Sequence, residues 1–215
     1  AGKQITSGSH NNVFGHFAGC KLTQGSSNLL MGNCAGYCVC GNGNVMLGQS
    51  SGFHRTGTKY KFNVLVGHSA GSSAGTLAVG NFDTLIGFNA GRCYTGSCSI
   101  GIGQSIVMPT TAGMNQLAIG QQCCYWITGS CDYNVGIGIS IPTSKLHVVG
   151  DTCVSGVSTV SGGVCLPNNS VLQIGQGSYK TTFHSDGNTT HLCHSGLALF
   201  QVQSNDFQIK GAGIR

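Results

Sequence analysis

Asn63-Val64-Leu65-Val66-Gly67-His68-Ser69-Ala70-Gly71 decides how this chain is read, because it recurs. Aligned on its central glycine, the unit is found eight times, on Gly15, Gly32, Gly48, Gly67, Gly87, Gly103, Gly120 and Gly138. The intervals are 17, 16, 19, 20, 16, 17 and 18 residues. The residue before the glycine is always apolar: Phe14, Met31, Leu47, Val66, Ile86, Ile102, Ile119 and Ile137. Four before it stands a polar residue: Asn11, Asn28, Asn44, Asn63, Asp83, Ser99, Gln116 and Asn134. In the first five copies an Ala-Gly or Ser-Gly pair closes the unit, on Gly19, Gly36, Gly52, Gly71 and Gly91.

A helical pair needs roughly 30 or more residues per repeat, whereas about 17 suits one coil of a β-solenoid, with short strands and tight turns stacked on their neighbours. The expected fold is therefore all-β, a β-solenoid or β-roll. Alternation along a strand puts Val64 and Val66 on one face and Leu65 on the other. The column Val13, Leu30, Met46, Leu65, Leu85, Gly101, Ala118, Gly136 is read as the outer face, and most coils are apolar on both sides. One face fills the coil and the other needs a partner, which a homotrimer would supply. Stacked Asn side chains are expected to form amide ladders along the axis. The glycines are expected where φ is positive or where backbones pass closely.

Composition narrows the function. The 215 residues include 36 glycines, only 7% charged residues and no glutamate. Hydrophobic content of 40% in a fixed register argues against disorder. The net charge of +5 is spread thinly, with Lys59 and Lys61 the only close pair, so no nucleic-acid partner is expected. No stretch approaches the ~18 apolar residues of a membrane span, and no signal peptide is recognised. Without an initiator Met at Ala1, and ending at Arg215, the chain reads as a processed product or as part of something longer.

Three regions are expected: the repeats over 1–138, a linker strand over 139–150, and a β-rich segment over 151–215. The last contains valines three apart in Val154–Val160 and, after Pro167, five strand-like runs beginning at Val171, Lys180, Thr190, Leu197 and Phe207. Ser185-Asp186-Gly187-Asn188 is a hairpin signal between two of them.

Sites for chemistry are sparse. Hydrolysis of a glycosidic bond needs two carboxylates roughly 5–10 Å apart, and the only acids are Asp83, Asp132, Asp151, Asp186 and Asp206. No spacing pairs them, so neither catalysis nor a cofactor is expected. His191 and His194, with His184 nearby, are the best metal candidates. Three apart on one strand, His191 and His194 face opposite ways, and no metal site is assigned to them. The twelve cysteines follow no framework and read as small buried hydrophobes, with disulfides or a metal as alternatives. Tyr94, Tyr125 and Trp126 serve either as core or as contacts for sugar rings.

The repeat unit is similar to repeats of phage fibres and bacterial surface proteins, and to the β-roll heads of trimeric autotransporter adhesins. Asn134–Gly150 resembles the "NVGIGTTxPTSKLHVxG" linker of phage tail-fibre proteins, with Ile139-Ser140-Ile141 in place of the usual threonines. Val171-Leu-Gln-Ile-Gly175, Phe183–Asn188 and Phe207–Gly211 resemble the "LQIYHDGSNSYI" module in virion fibres of marine cyanobacterial phages; here Ser185 separates His184 from Asp186. Together the resemblances span nearly the whole chain. They imply an intertwined homotrimeric virion fibre, in contact with other virion proteins and with a host surface glycan or protein receptor. A bacterial adhesin or filament subunit is the alternative, and a glycan-cleaving tailspike a more distant one.

Overall fold

In the computed structural model, residues 1–54, 61–72 and 80–155 are described in full, together with the backbone of five strands between positions 171 and 208. The chain divides into two compact units, Ala1–Cys153 and Val154–Arg215. Among the described residues there is no helix.

The first unit is a β-solenoid of about six turns. Seven short strands, β1 (Asn12–Phe14), β2 (Leu29–Met31), β3 (Val45–Leu47), β4 (Val64–Val66), β5 (Thr84–Ile86), β6 (Ile100–Ile102) and β7 (Leu117–Gln121), pair in parallel, one per coil. The register is strict: Leu65 lies between Met46 and Leu85, and Val66 between Leu47 and Ile86. Strands of three residues are too short to stand alone, so each coil is held by the two that sandwich it.

The interior is built from columns. Leu30, Met46, Leu65, Leu85 and Ala118 have no exposure and stack one above another. Facing them across the coil are Ala18, Ala35, Ala70 and Ala90, the first members of the closing pairs, also fully buried. Burying a leucine is worth about 1.5–3 kcal/mol, and here the saving repeats with every coil. The column read as outer is therefore the inner one. Asn63 and Leu65 are two apart and so share a face, and an amide that must reach its neighbours' backbone belongs inside the stack. Val64 and Val66 stand outside. Where the core column shrinks to Gly101, its space is filled by Leu85, Ile106 and Met108; a Cβ on Gly101 would lie 2.9 Å from Leu85 Cδ2.

The eighth copy departs from the stack. Strand β8 (Cys124–Gly129) turns back and pairs antiparallel with β7, and β9 (Val135–Ile137) pairs antiparallel with β8. The interval of 18 residues between Gly120 and Gly138 is thus spent on a hairpin, not on a coil. The aromatic and β-branched run Tyr125-Trp126-Ile127-Thr128 favours this extra strand, and Cys123-Cys124 stands in place of the closing Ala-Gly. Strand β10 (Leu146–Val148), inside the segment read as a linker, pairs in parallel with β9 and completes a ten-stranded sheet.

The second unit contains a five-stranded antiparallel meander, β11 (Val171–Ile174), β12 (Thr181–Ser185), β13 (Thr189–His194), β14 (Leu197–Gln203) and β15 (Asp206–Gln208). Each strand-like run of the sequence supplies one of these. The valine register over 156–160, Pro167 and the turn residues 186–188 lie outside the described residues.

Candidate functional site: a polar ladder inside, an apolar face outside

The polar column is a ladder of clamps, each grasping both ends of a turn in the next coil. Asn11 Oδ1 accepts the Asn28 backbone N–H at 3.0 Å, while Asn11 Nδ2 donates to the Gly25 carbonyl at 2.7 Å. Asn28 does the same for Asn44 N and Gly41 O, at 3.0 Å each. Asn63 does it for Asp83 N at 2.8 Å and Gly80 O at 2.9 Å. Asn28, Asn44 and Asn63 are buried, and a buried amide is tolerated because its donors and acceptor are used. The clamped carbonyls belong to Gly25, Gly41, Gly80 and Gly113; with Gly96 they form a second glycine column, three residues before Asn28, Asn44, Asp83, Ser99 and Gln116, which alignment on the central glycine does not bring out. Asn134 is not a rung: its Nδ2 reaches Pro142 O at 3.4 Å.

Below Asp83 the chemistry changes. Asp83 Oδ1 accepts Ser99 N at 2.9 Å, and Ser99 Oγ accepts Gln116 N at 2.9 Å. Ser99 Oγ donates to the Ser97 carbonyl at 3.2 Å on its own coil, and no contact takes it to the Gly113 carbonyl. Tyr94 takes over, donating its buried hydroxyl to Gly113 O and lying 2.7 Å from Ser99 Oγ. Burial pushes the Tyr94 phenol up, so it stays a donor. Burial also raises the Asp83 carboxyl to about 7, against one lowering contact from the Ser99 N–H.

The central glycines satisfy two demands at once. Gly48 has φ +128°, and a Cβ there would lie 2.6 Å from the Gly67 carbonyl oxygen. Gly32, Gly67, Gly87 and Gly120 repeat the pattern, each with positive φ and a neighbouring backbone in the way. Gly138, past the hairpin, has φ +70°. The position before each rung is also left-handed but accepts side chains, among them Ser27, Phe62, Phe82 and Cys98.

Outside, the register builds an unbroken apolar column across all ten strands: Phe14, Met31, Leu47, Val66, Ile86, Ile102, Ile119, Ile127, Ile137 and Val148. A parallel column carries Leu29, Val45, Val64, Thr84, Ile100 and Leu117. Phe14 is 57% and Met31 48% exposed, and Ile86, Ile100, Ile102 and Ile137 are also open to solvent. The column is flanked by stacked Phe62 and Phe82, ring centroids 5.3 Å apart, and by His68 over Phe88 at the same distance. Neither column contains a charged residue.

The other candidates fall as follows. Tyr94 is core, Tyr125 is half-buried with its hydroxyl donated to Val107 O at 3.0 Å, and Trp126 is exposed. The small-hydrophobe reading of cysteine holds for Cys20 and Cys38, Cys34 and Cys40 are half-buried, and Cys93, Cys98, Cys123, Cys124, Cys131 and Cys153 are exposed. The backbone register sets His184 opposite His191, and His194 opposite Thr181. Among the residues with described side chains, no group of three His, Cys, Asp or Glu is placed to hold a metal. A pocket of about 220 Å³ between Met114, Ile141 and Pro142 is lined by one carboxylate, Asp132.

Compared with protein-family models, curated proteins and solved structures, the chain gives no match to any of the three.

Proposed function

We propose that this chain is a structural fibre protein of a bacteriophage virion, non-catalytic, assembled as a homotrimer through the outer face of its sheet and serving host attachment. The observation that carries the reading is the uncharged apolar column from Phe14 to Val148. Ten strands about 4.8 Å apart and three residues wide, with their flanking rings, make a face of roughly 45 by 15 Å, or about 700 Å². Monomers rarely expose contiguous apolar patches beyond a few hundred Å², and a stable interface takes about 800 Å² from each partner. A copy of the same chain carries the same row spacing, so its side chains interdigitate row for row. Two copies would cover the face equally well; the resemblance to trimeric fibres sets the number at three.

Such a fibre works by mechanics and valency. Stacked coils give a stiff rod, and three identical copies multiply weak contacts with a surface glycan or protein receptor. The similarity of the repeat to adhesin heads supports a second reading, a bacterial surface adhesin with the same assembly. The test is adsorption of labelled assembled protein to a panel of cyanobacterial and other bacterial cells. Saturable binding that falls at least tenfold when Val66→Asp dissociates the assembly supports attachment. Absence of binding to every cell type, or release of sugar from host polysaccharide, overturns it.

A further inference from the structure

Along the ladder each turn glycine offers its carbonyl to a side-chain donor of the preceding coil: Gly25 to Asn11, Gly41 to Asn28, Gly80 to Asn63 and Gly113 to Tyr94. Gly96 occupies the same place in the register, three residues before Ser99; its carbonyl accepts the Gly80 N–H at 2.9 Å and has a second lone pair, and the rung of the preceding coil is Asp83. With Oδ1 engaged by Ser99 N at 2.9 Å, the other oxygen, Oδ2, is the atom left to correspond to the amide nitrogen of an asparagine rung. It is buried and has no hydrogen-bond partner. As a carboxylate it would set a negative oxygen against a carbonyl oxygen; as a carboxylic acid it supplies the donor that every neighbouring clamp has.

We propose that Asp83 is a proton-operated clamp: in its neutral form Oδ2–H donates to the Gly96 carbonyl and locks the coil carrying β5 to the coil carrying β6, and on ionisation the clamp opens. Among the described residues, the titratable groups near it leave it without a compensating cation. Tyr94, beside Ser99, is neutral in the relevant range. Cys98 follows on the next coil and is exposed. Lys61, before Asn63 on the preceding coil, is exposed, and its backbone carbonyl accepts from Phe82 N at 3.0 Å.

The sign follows from linkage. The folded carboxyl titrates near 7 against 3.8 when unfolded, so the folded state binds the extra proton between those values. Stability is fully present below about 4 and falls as pH rises towards 7. Over that window the folding equilibrium shifts by up to about 1,000-fold, tenfold per pKa unit. The test compares melting temperature against pH for the whole protein and for Asp83→Asn, which restores the repeat's own residue. Histidine titration is common to both and cancels in the difference. The expected result is that the variant matches the natural protein in acid and melts higher at pH 8, with the difference growing between. An infrared carbonyl band of a buried carboxylic acid, present at pH 5 and absent from the variant, gives a readout independent of stability. Parallel pH profiles, or no such band, would overturn the proposal.

Discussion

Leu65 and Val66 are neighbours on β4 and belong to different surfaces: Leu65 has no exposure inside the coil, and Val66 stands in the outward column. Leu65→Ala is expected to cost about 2–5 kcal/mol, the range for a truncated core leucine, and Leu65→Asp to prevent folding. Val66→Asp should leave the coil within about 1 kcal/mol of its stability, as surface changes do, while blocking assembly. Circular dichroism melts read the first effect, and size-exclusion chromatography reads the second.

The two glycine classes separate by substitution. Gly48→Ala meets φ +128° and a carbonyl oxygen 2.6 Å away, and is expected to cost more than about 3 kcal/mol because neither strain can relax. Gly43 has φ +68° in a column where Ser27, Phe62 and Phe82 adopt the same conformation. The nearest atoms its Cβ would meet belong to the exposed Phe62 ring, a side chain that can swing outward. Gly43→Asn should therefore change stability by less than about 1 kcal/mol, since Asn tolerates the left-handed region. Thermal melts of the pair decide this.

The repeat was legible because its columns are written in the sequence: apolar before glycine, polar four before. Which face was inner was legible too, in the shared parity of Asn63 and Leu65, but alternation alone treats both faces alike when both are apolar. The hairpin of β7 and β8 was hidden because its length equals one coil; spacing counts residues without giving their direction. The clamp on Gly25, Gly41, Gly80 and Gly113 needed the stacking register, which links residues 13 to 19 positions apart.

The ladder makes its own pH prediction at a second rung. Asn28→Asp places a carboxyl where an amide now donates to Gly41 O. Burial there favours the neutral acid, so the variant should be near natural stability at pH 4 and lose it as pH rises to neutrality. Asn28→Ala should instead be destabilised by about 3 kcal/mol at every pH, having stranded several buried groups. Denaturant titrations at pH 4 and pH 8 distinguish the two.

Tyr94→Phe removes only a hydroxyl, yet that hydroxyl is the donor that Ser99 does not bring to the Gly113 carbonyl. The loss is expected to be about 1–3 kcal/mol from the stranded Gly113 carbonyl. Amide hydrogen exchange should quicken first in the coil carrying β6 and in β7.

The most direct test of the account is the mass of the native particle, by native mass spectrometry or light scattering, for the natural protein and for Val66→Asp. Three times the 22.0 kDa chain, about 66 kDa, falling to a folded single chain in the variant, is the expected result. A soluble 22.0 kDa monomer of the natural protein would leave the Phe14-to-Val148 column uncovered and contradict the trimeric fibre.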